Sequence, residues 1–386
     1  MNTGRPQTIV LKLSKLCNLR CTYCYEFPQL ADKARMPLAG LERLFAGLAA
    51  APCISQDEAP LQFALHGGEP TLLPPAYLRE LVALQERHLG AAGITYRNTI
   101  QTNLYAVKPQ TLDLLQELGI QISVSLDVFG DQRLTGSGQD VEPRIQENLD
   151  RLLADPSRRD LVNGGITVLY RHNAERITEI FDFFHQRGLD FRVLPMFHLD
   201  EHSSTAPQLC LTPAELLQRL QELAIHWLSQ SETRIKVYPL QEYLSAAILH
   251  LEGRKLDPFI PGEQEWALLI DTHGEVYSHG DAYLPGFSFG NVFEQDYGEL
   301  MSSAARQHSV IVRSARGETC EGCGYQNSCP RLPVVEALPS ERPHNSQGVL
   351  ACPTAQPMTS FFTQLIQTLG PTSSQATGRC PPSSGG

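Results

Sequence analysis

Strand-like and helix-like stretches alternate along residues 8–195, and this restricts the fold more than any other property of the chain. An apolar run, Thr8–Ser14, reads as a buried strand. Helix Leu38–Ala50 then leads to strand Leu61–His66, and helix Pro75–Leu89 to strand Thr95–Thr102. Helix Lys108–Leu118, with Gly119 as its C-cap, leads to strand Ile120–Leu126. Helix Val141–Ala154 precedes strand Gly165–Tyr170, and helix Ala174–Gln186, closed by Gly188, precedes strand Phe191–Pro195. Units of roughly 35 residues with this order are βα units, since parallel strands need a crossover long enough to hold a helix. Six such units make an α/β chain that is two units short of a closed eight-fold barrel.

The first strand runs into Cys17-Asn-Leu-Arg-Cys21-Thr-Tyr-Cys24-Tyr25. The loop leaving the carboxyl end of a strand is where α/β folds put their chemistry. Three thiolates spaced CxxxCxxC can ligate three irons of a [4Fe–4S] cube and leave the fourth open to another molecule. Zinc fits less well, because it prefers CxxC pairs and a fourth ligand that this loop lacks.

The nonapeptide resembles the CxxxCxYC signature of the radical S-adenosylmethionine (SAM) enzymes. In that family the open iron is chelated by the amino and carboxylate groups of SAM. Electron transfer then yields a 5′-deoxyadenosyl radical that abstracts a hydrogen atom. The resemblance implies a partial (β/α)6 TIM-like barrel, with Cys17, Cys21 and Cys24 as ligands of the SAM-binding cluster. Further along, His66-Gly67-Gly68-Glu69-Pro70 resembles the family's SAM amino-group motif. Its glycines let backbone approach a ligand, and Glu69 can face a cation. Thr102-Asn103 resembles the ribose-proximal step. Ser125-Leu126-Asp127 resembles Ser-Leu-Asp-Gly, with Val128 in place of glycine. Asp131-Gln132-Arg133 resembles the Asp-x-x-Arg that follows, which would pair Arg133 with the SAM carboxylate through a bidentate fork; a solvated loop arginine is the alternative. Tyr23 is expected along the adenine.

A second set, Cys320-x-x-Cys323-x5-Cys329 followed by Cys352, supplies four thiolates, enough to saturate a cluster. It resembles the C-terminal half of the SPASM domain of radical SAM enzymes that modify peptides and proteins, and so implies an α+β extension with one auxiliary [4Fe–4S] cluster. Tetrahedral zinc stays open as the alternative. The inner cluster of a full SPASM domain is expected to be absent. His279 stands where that domain has a Gly-x-x-x-x-Cys cysteine, and Pro333 stands where it has another. In sulfatase-maturing relatives an aspartate proposed as base follows that cysteine, and here the residue is Gly280. His279 and Asp281 are therefore the candidate catalytic residues, lining the space the missing cluster leaves. Cys53 and Cys210 read as buried thiols, and Cys380 lies in the tail.

A formal net charge of −11 disfavours a phosphate-tracking surface, so no nucleic-acid partner is expected. No segment approaches the ~20 apolar residues of a membrane span. Met1–Pro6 carries no apolar secretory region, so a reducing cytoplasm and metal-bound cysteines are expected. The expected organisation is a barrel over 1–200, a helical connector over 201–261, a SPASM-like domain over 262–370, and a disordered tail over 371–386. The resemblance implies an oxidoreductase that matures a ribosomally made precursor peptide, most simply by a cyclophane or thioether crosslink. A sulfatase-type maturase that oxidises Cys or Ser to formylglycine, and a non-catalytic Fe–S or zinc scaffold, are the alternatives. The first strand begins too near residue 1 for a fused N-terminal peptide-recognition domain. Expected partners are therefore the peptide, a separate leader-recognition protein, and a reductant such as flavodoxin or ferredoxin.

Overall fold

The structure, a computed structural model, describes residues 5–24, 30–54, 59–196, 206–230, 234–345 and 348–369. The tail expected over 371–386, with Cys380, lies outside the described residues. The chain forms β1 (Arg5–Ser14), α1 (Leu38–Ala50), β2 (Leu61–Gly67), α2 (Pro75–Gln85), β3 (Tyr96–Thr102), α3 (Pro109–Glu117), β4 (Ile120–Ser125), α4 (Glu142–Ala154), β5 (Val162–Leu169), α5 (Ile177–Arg187) and β6 (Phe191–Pro195). After these come α6 (Ala206–Leu209), α7 (Pro213–Ser229), β7 (Val237–Tyr238), α8 (Leu240–Leu251), β8 (Gln264–Ile270) and β9 (Val276–Ser278). Helices α9 (Tyr297–Ser302), α10 (Ala304–Gly317), α11 (Leu332–Val335) and α12 (Ala355–Leu369) complete it.

Among the described residues one sheet holds nine strands in the order β7-β6-β5-β4-β3-β2-β1-β8-β9, parallel except for β9 against β8. Alternate strand residues point to opposite faces. Ile9, Leu11 and Leu13 of β1 and Leu61, Phe63 and Leu65 of β2 are buried in the core. Helix α1 buries Leu41, Leu44, Phe45 and Leu48 in the same core, at the i, i+3, i+4, i+7 spacing of one helical face. Each such side chain contributes roughly 1.5–3 kcal/mol. Gly119 and Gly188 end their helices at φ 64° each, a conformation that glycine adopts without strain. Thr212 and Glu215 form a capping box at the start of α7.

Strand β8 pairs with β1 across the division expected at 261/262, so the sheet runs unbroken from the barrel into the C-terminal region. Helix α12, not foreseen in the sequence, packs on α8 and α7. No helix among the described residues is long and apolar enough to cross a membrane.

Candidate active site

The loop carrying Cys17, Cys21 and Cys24 is stitched to the segment after β4. Arg20 N donates to Leu134 O (2.7 Å) and Thr22 N to Gln132 O (3.0 Å), while Cys24 N closes a turn on Cys21 O (3.1 Å). Burial raises the Cys17 thiol to about 12, and the charges of Glu69, Cys21 and Cys24 add to it; the N–H of Leu19, 3.4 Å from Cys17 Sγ, opposes it. Burial also raises the Cys21 thiol, with the Arg133 cation pulling it down. Three soft thiols thus share one neighbourhood with an N–H donor and a cation beside them. That donor set suits an iron–sulfur cluster, whose binding must displace the thiol protons.

The end of β2 is pressed against this loop. Gly67 has φ 138°, and a Cβ there would lie 2.1 Å from Ser14 O. A Cβ on Gly68 would lie 2.4 Å from the carbonyl oxygens of both Lys15 and Leu16, the backbone that leads into Cys17. A Gly68→Ala substitution must therefore displace the cysteine loop. We expect it to cost about 1–3 kcal/mol and to lower iron per chain after reconstitution, measured by thermal unfolding and iron assay.

Glu69 is buried, and its carboxylate is taken up by the protein. Oε1 accepts from Thr71 N (3.1 Å), Thr71 Oγ1 (2.6 Å) and Thr102 Oγ1 (2.8 Å), and Oε2 accepts from Asn103 N (2.7 Å). Burial raises its pKa against these donors. A carboxylate offers about four acceptor sites, so Glu69 is committed to bracing the ends of β2 and β3. Pro70 starts the short turn that follows. Asn103 Nδ2 reaches Asn18 Oδ1 (2.9 Å) inside the cysteine loop and stands 3.9 Å from Cys17 Sγ. Asn18 carries no signal in sequence, because its partner lies 85 residues away. Ser125 accepts from Gln101 Nε2 (2.6 Å).

Asp127, on the segment leaving β4, is buried and gathers Tyr23 and Arg133. Its Oδ2 accepts from the Tyr23 hydroxyl and from Arg133 Nε (3.0 Å), and its Oδ1 from Arg133 Nη2 (3.3 Å) and Val168 N (2.9 Å). The Arg133 guanidinium also lies 5.9 Å from the Tyr23 ring centroid. Arg133 is buried rather than solvated, and its fork faces Asp127. The two motif residues clamp the loop between Cys21 and Cys24 onto the sheet.

In the C-terminal region, Cys320, Cys323, Cys329 and Cys352 ring one cavity of about 350 Å³. Cys352 precedes α12, and Gln356 N donates to its sulfur (3.3 Å). Burial raises the Cys320 thiol to about 11. Among the described residues no group of three or more His, Cys, Asp and Glu is placed to hold a metal ion.

Asp281 is wholly buried and held by Arg316 Nη1 and Nη2 (3.0 and 2.5 Å) and Arg342 Nη2 (2.7 Å). It is an ion-pair partner and not the open carboxylate that the sequence suggested. His279 packs edge-on to Trp266, with ring centroids 4.8 Å apart. Burial, then the charges of Arg192 and Lys12, lower its pKa to about 4, so it is neutral at physiological pH. Beside them lies a network that sequence reasoning missed. Arg313, with no exposed surface, bonds Glu265 of β8 (2.7 and 3.1 Å) and Glu336 (2.8 Å), Arg306 bonds Glu265 (3.0 Å), and Gly280 N donates to Glu336 (3.1 Å). Buried charge pairs fill this region.

Residues 11–184 match the family model of the radical SAM superfamily. The chain is 21% identical over 329 residues to the cysteine-type anaerobic sulfatase-maturating enzyme of Clostridium novyi (strain NT), covering 83% of this chain and 86% of that protein. It is 33% identical over 177 residues to the PqqA peptide cyclase of Xanthomonas euvesicatoria pv. vesicatoria, covering 45% of this chain and 42% of that protein. Native anSMEcpe with bound AdoMet has the same fold, with a TM-score of 0.69 at 18% identity over 93% of this chain and 95% of that one. The partial barrel expected from the sequence is the fold this chain shares with that structure. The superfamily implies a [4Fe–4S] cluster and SAM as cofactors. The match, together with a three-cysteine loop at the carboxyl end of β1, makes residues 11–184 of this enzyme a radical SAM domain.

Proposed function

We propose that the chain is a peptide maturase that abstracts a hydrogen atom from a ribosomally made precursor and leaves an intrapeptide crosslink. Cys17, Cys21 and Cys24 would hold the SAM-binding cluster. The Gly67–Gly68 backbone, Thr102, Asn103 and Ser125 would line the SAM site. When bound, the cluster and SAM supply an electron and a 5′-deoxyadenosyl radical by cleavage of a carbon–sulfur bond. Asp127 and Arg133 fix Tyr23 and with it the cysteine loop, while Glu69 fixes the two strand ends. Cys320, Cys323, Cys329 and Cys352 would hold the auxiliary cluster. A cavity lined by all four cysteines supports one shared metal site there, and metal analysis separates a cluster from zinc.

The observation that carries the crosslinking reading is the state of Asp281 and its neighbours. With Gly280 in place of an aspartate and Asp281 locked by two arginines, the position offers no open carboxylate base for formylglycine formation. The sulfatase-maturase reading keeps one observation in its favour, the likeness to the C. novyi enzyme over most of both chains.

Anaerobically reconstituted protein given dithionite and SAM is expected to release 5′-deoxyadenosine. A precursor peptide co-expressed with it is expected to lose the mass of two hydrogens and to resist sequencing across the crosslink. A free aldehyde on Cys or Ser, trapped by hydrazine reagents, would replace this reading with the sulfatase-type one.

A further inference from the structure

Two residues after Cys329 stands Arg331, with a left-handed backbone at φ 66° and ψ −6°. Side chains with a Cβ enter this region under strain, and glycine is its usual occupant. The backbone task there is to cap α11: Arg331 O accepts from Val334 N and Val335 N (3.0 Å each). Glycine would do the same with less strain, so the backbone does not account for an arginine. Its side chain lines the cavity ringed by the four cysteines, and its Nε is buried with no hydrogen-bond partner. A buried donor left without an acceptor forfeits the hydrogen bond it made to water. Strain and an orphaned donor thus fall on one residue, at the wall of one cavity. An anion inside that cavity would supply the missing acceptor. The first turn of α12 also meets the cavity, with Gln356 N on Cys352 Sγ (3.3 Å), and exposed Glu321 is a carboxylate on its rim.

We propose that Arg331 is the charge partner of the auxiliary cluster, donating through Nε to a sulfur and holding up the cluster's one-electron reduction potential. This rests on the reading of Cys320, Cys323, Cys329 and Cys352 as a cluster site. An all-thiolate cluster is anionic, and taking up one electron from an external low-potential donor adds one negative charge without making or breaking a bond. A fixed cation beside it favours the more negative state, and hydrogen bonds to the sulfurs act in the same direction.

The test uses the full-length C17A/C21A/C24A variant as parent, which removes the first cysteine set and keeps the second, with Cys53, Cys210 and Cys380 outside both. Reconstituted without air, the parent is expected to hold one four-iron cluster per chain and no zinc. In that background R331Q and R331G, followed by EPR during dithionite titration, are expected to change the reduced-to-oxidised ratio at a fixed poise about tenfold. That equals a midpoint lower by about 59 mV for a one-electron couple. R331K, which keeps the charge, is expected to stay near the parent. Because R331G relieves the backbone strain and R331Q does not, equal shifts in both assign the effect to charge. Unchanged midpoints in both overturn the role of Arg331, as does a shift in R331K as large as in R331Q. Zinc, or no metal, in the parent overturns instead the cluster reading beneath it. If both neutral variants fail to take up iron, R331K decides: parental iron content assigns the charge, and its loss too overturns it.

Discussion

An Asp127→Ala variant is expected to lose iron from the first cysteine set and to release 5′-deoxyadenosine at a rate at least ~10–100-fold lower, the usual loss when a residue that orients metal ligands is removed. Asp127 holds the Tyr23 hydroxyl, two nitrogens of Arg133 and the Val168 N–H. Without it the Arg133 charge stays buried and uncompensated beside Cys21, at a cost of about 3–5 kcal/mol. Asp127→Asn separates the effects: an amide can still accept from Tyr23 but does not neutralise Arg133. Iron per chain, read against thermal unfolding of the iron-free protein, distinguishes a displaced loop from general unfolding. Parental iron content and parental 5′-deoxyadenosine release in Asp127→Ala would show that the clamp has no part in holding the loop.

The second large effect is expected at Arg313, which lies between Glu265 and Glu336 with no exposed surface. Arg313→Met leaves buried Glu336 without its arginine and Glu265 with Arg306 alone. The loss should be about 3–5 kcal/mol, or a Tm lower by on the order of 10 °C. Replacing the whole group, Arg313→Met and Arg306→Met with Glu265→Leu and Glu336→Leu, should recover most of it, because a well-packed apolar set of similar volume replaces buried ion pairs at little net cost. Differential scanning calorimetry on iron-free and iron-loaded protein checks both. The network contains no cysteine, so the same fall is expected in either form.

These two sites differ in how far they could be read from the amino acids. Local rules placed α1 at Leu38–Ala50, where the structure has it, and the glycine stops at 119 and 188 follow from φ sign alone. Short-range geometry settles such features. The cysteine loop and GGEP were legible because their residue types are chemically distinctive at fixed spacing. Glu69, Arg133 and Asp281 were legible as charges but not as pairs. A carboxylate that looks free in a motif can be consumed by Thr71, Thr102 and Asn103, and only the fold brings the last two to it. Glu265 and Arg313 are 48 residues apart. In each segment by itself a charge reads as a solvated face, and burial appears only when both partners are placed. Strand β8 was equally opaque, because an apolar run carries no mark of which edge it will join. Helix α12 has neither acidic residues in its first turn nor basic ones in its last to announce it.

The pairing of β8 with β1 also has a consequence for how the molecule is made. Arg5 lies opposite Gln264, and Thr272 Oγ1 donates to Lys12 O across 260 residues of chain. During synthesis the first strand emerges early, and β2 can join one of its edges once residues 61–67 are made. The other edge has no partner until about 270 residues have been polymerised. At roughly 5–20 residues per second that is a wait of roughly 10–40 seconds between the emergence of β2 and that of β8. Throughout it, one side of the strand that leads into the cysteine loop is an open hydrogen-bonding ladder, the kind of edge that other chains can add to. Docking of β8 is therefore the step that ends exposure of the nascent barrel, and it must come late.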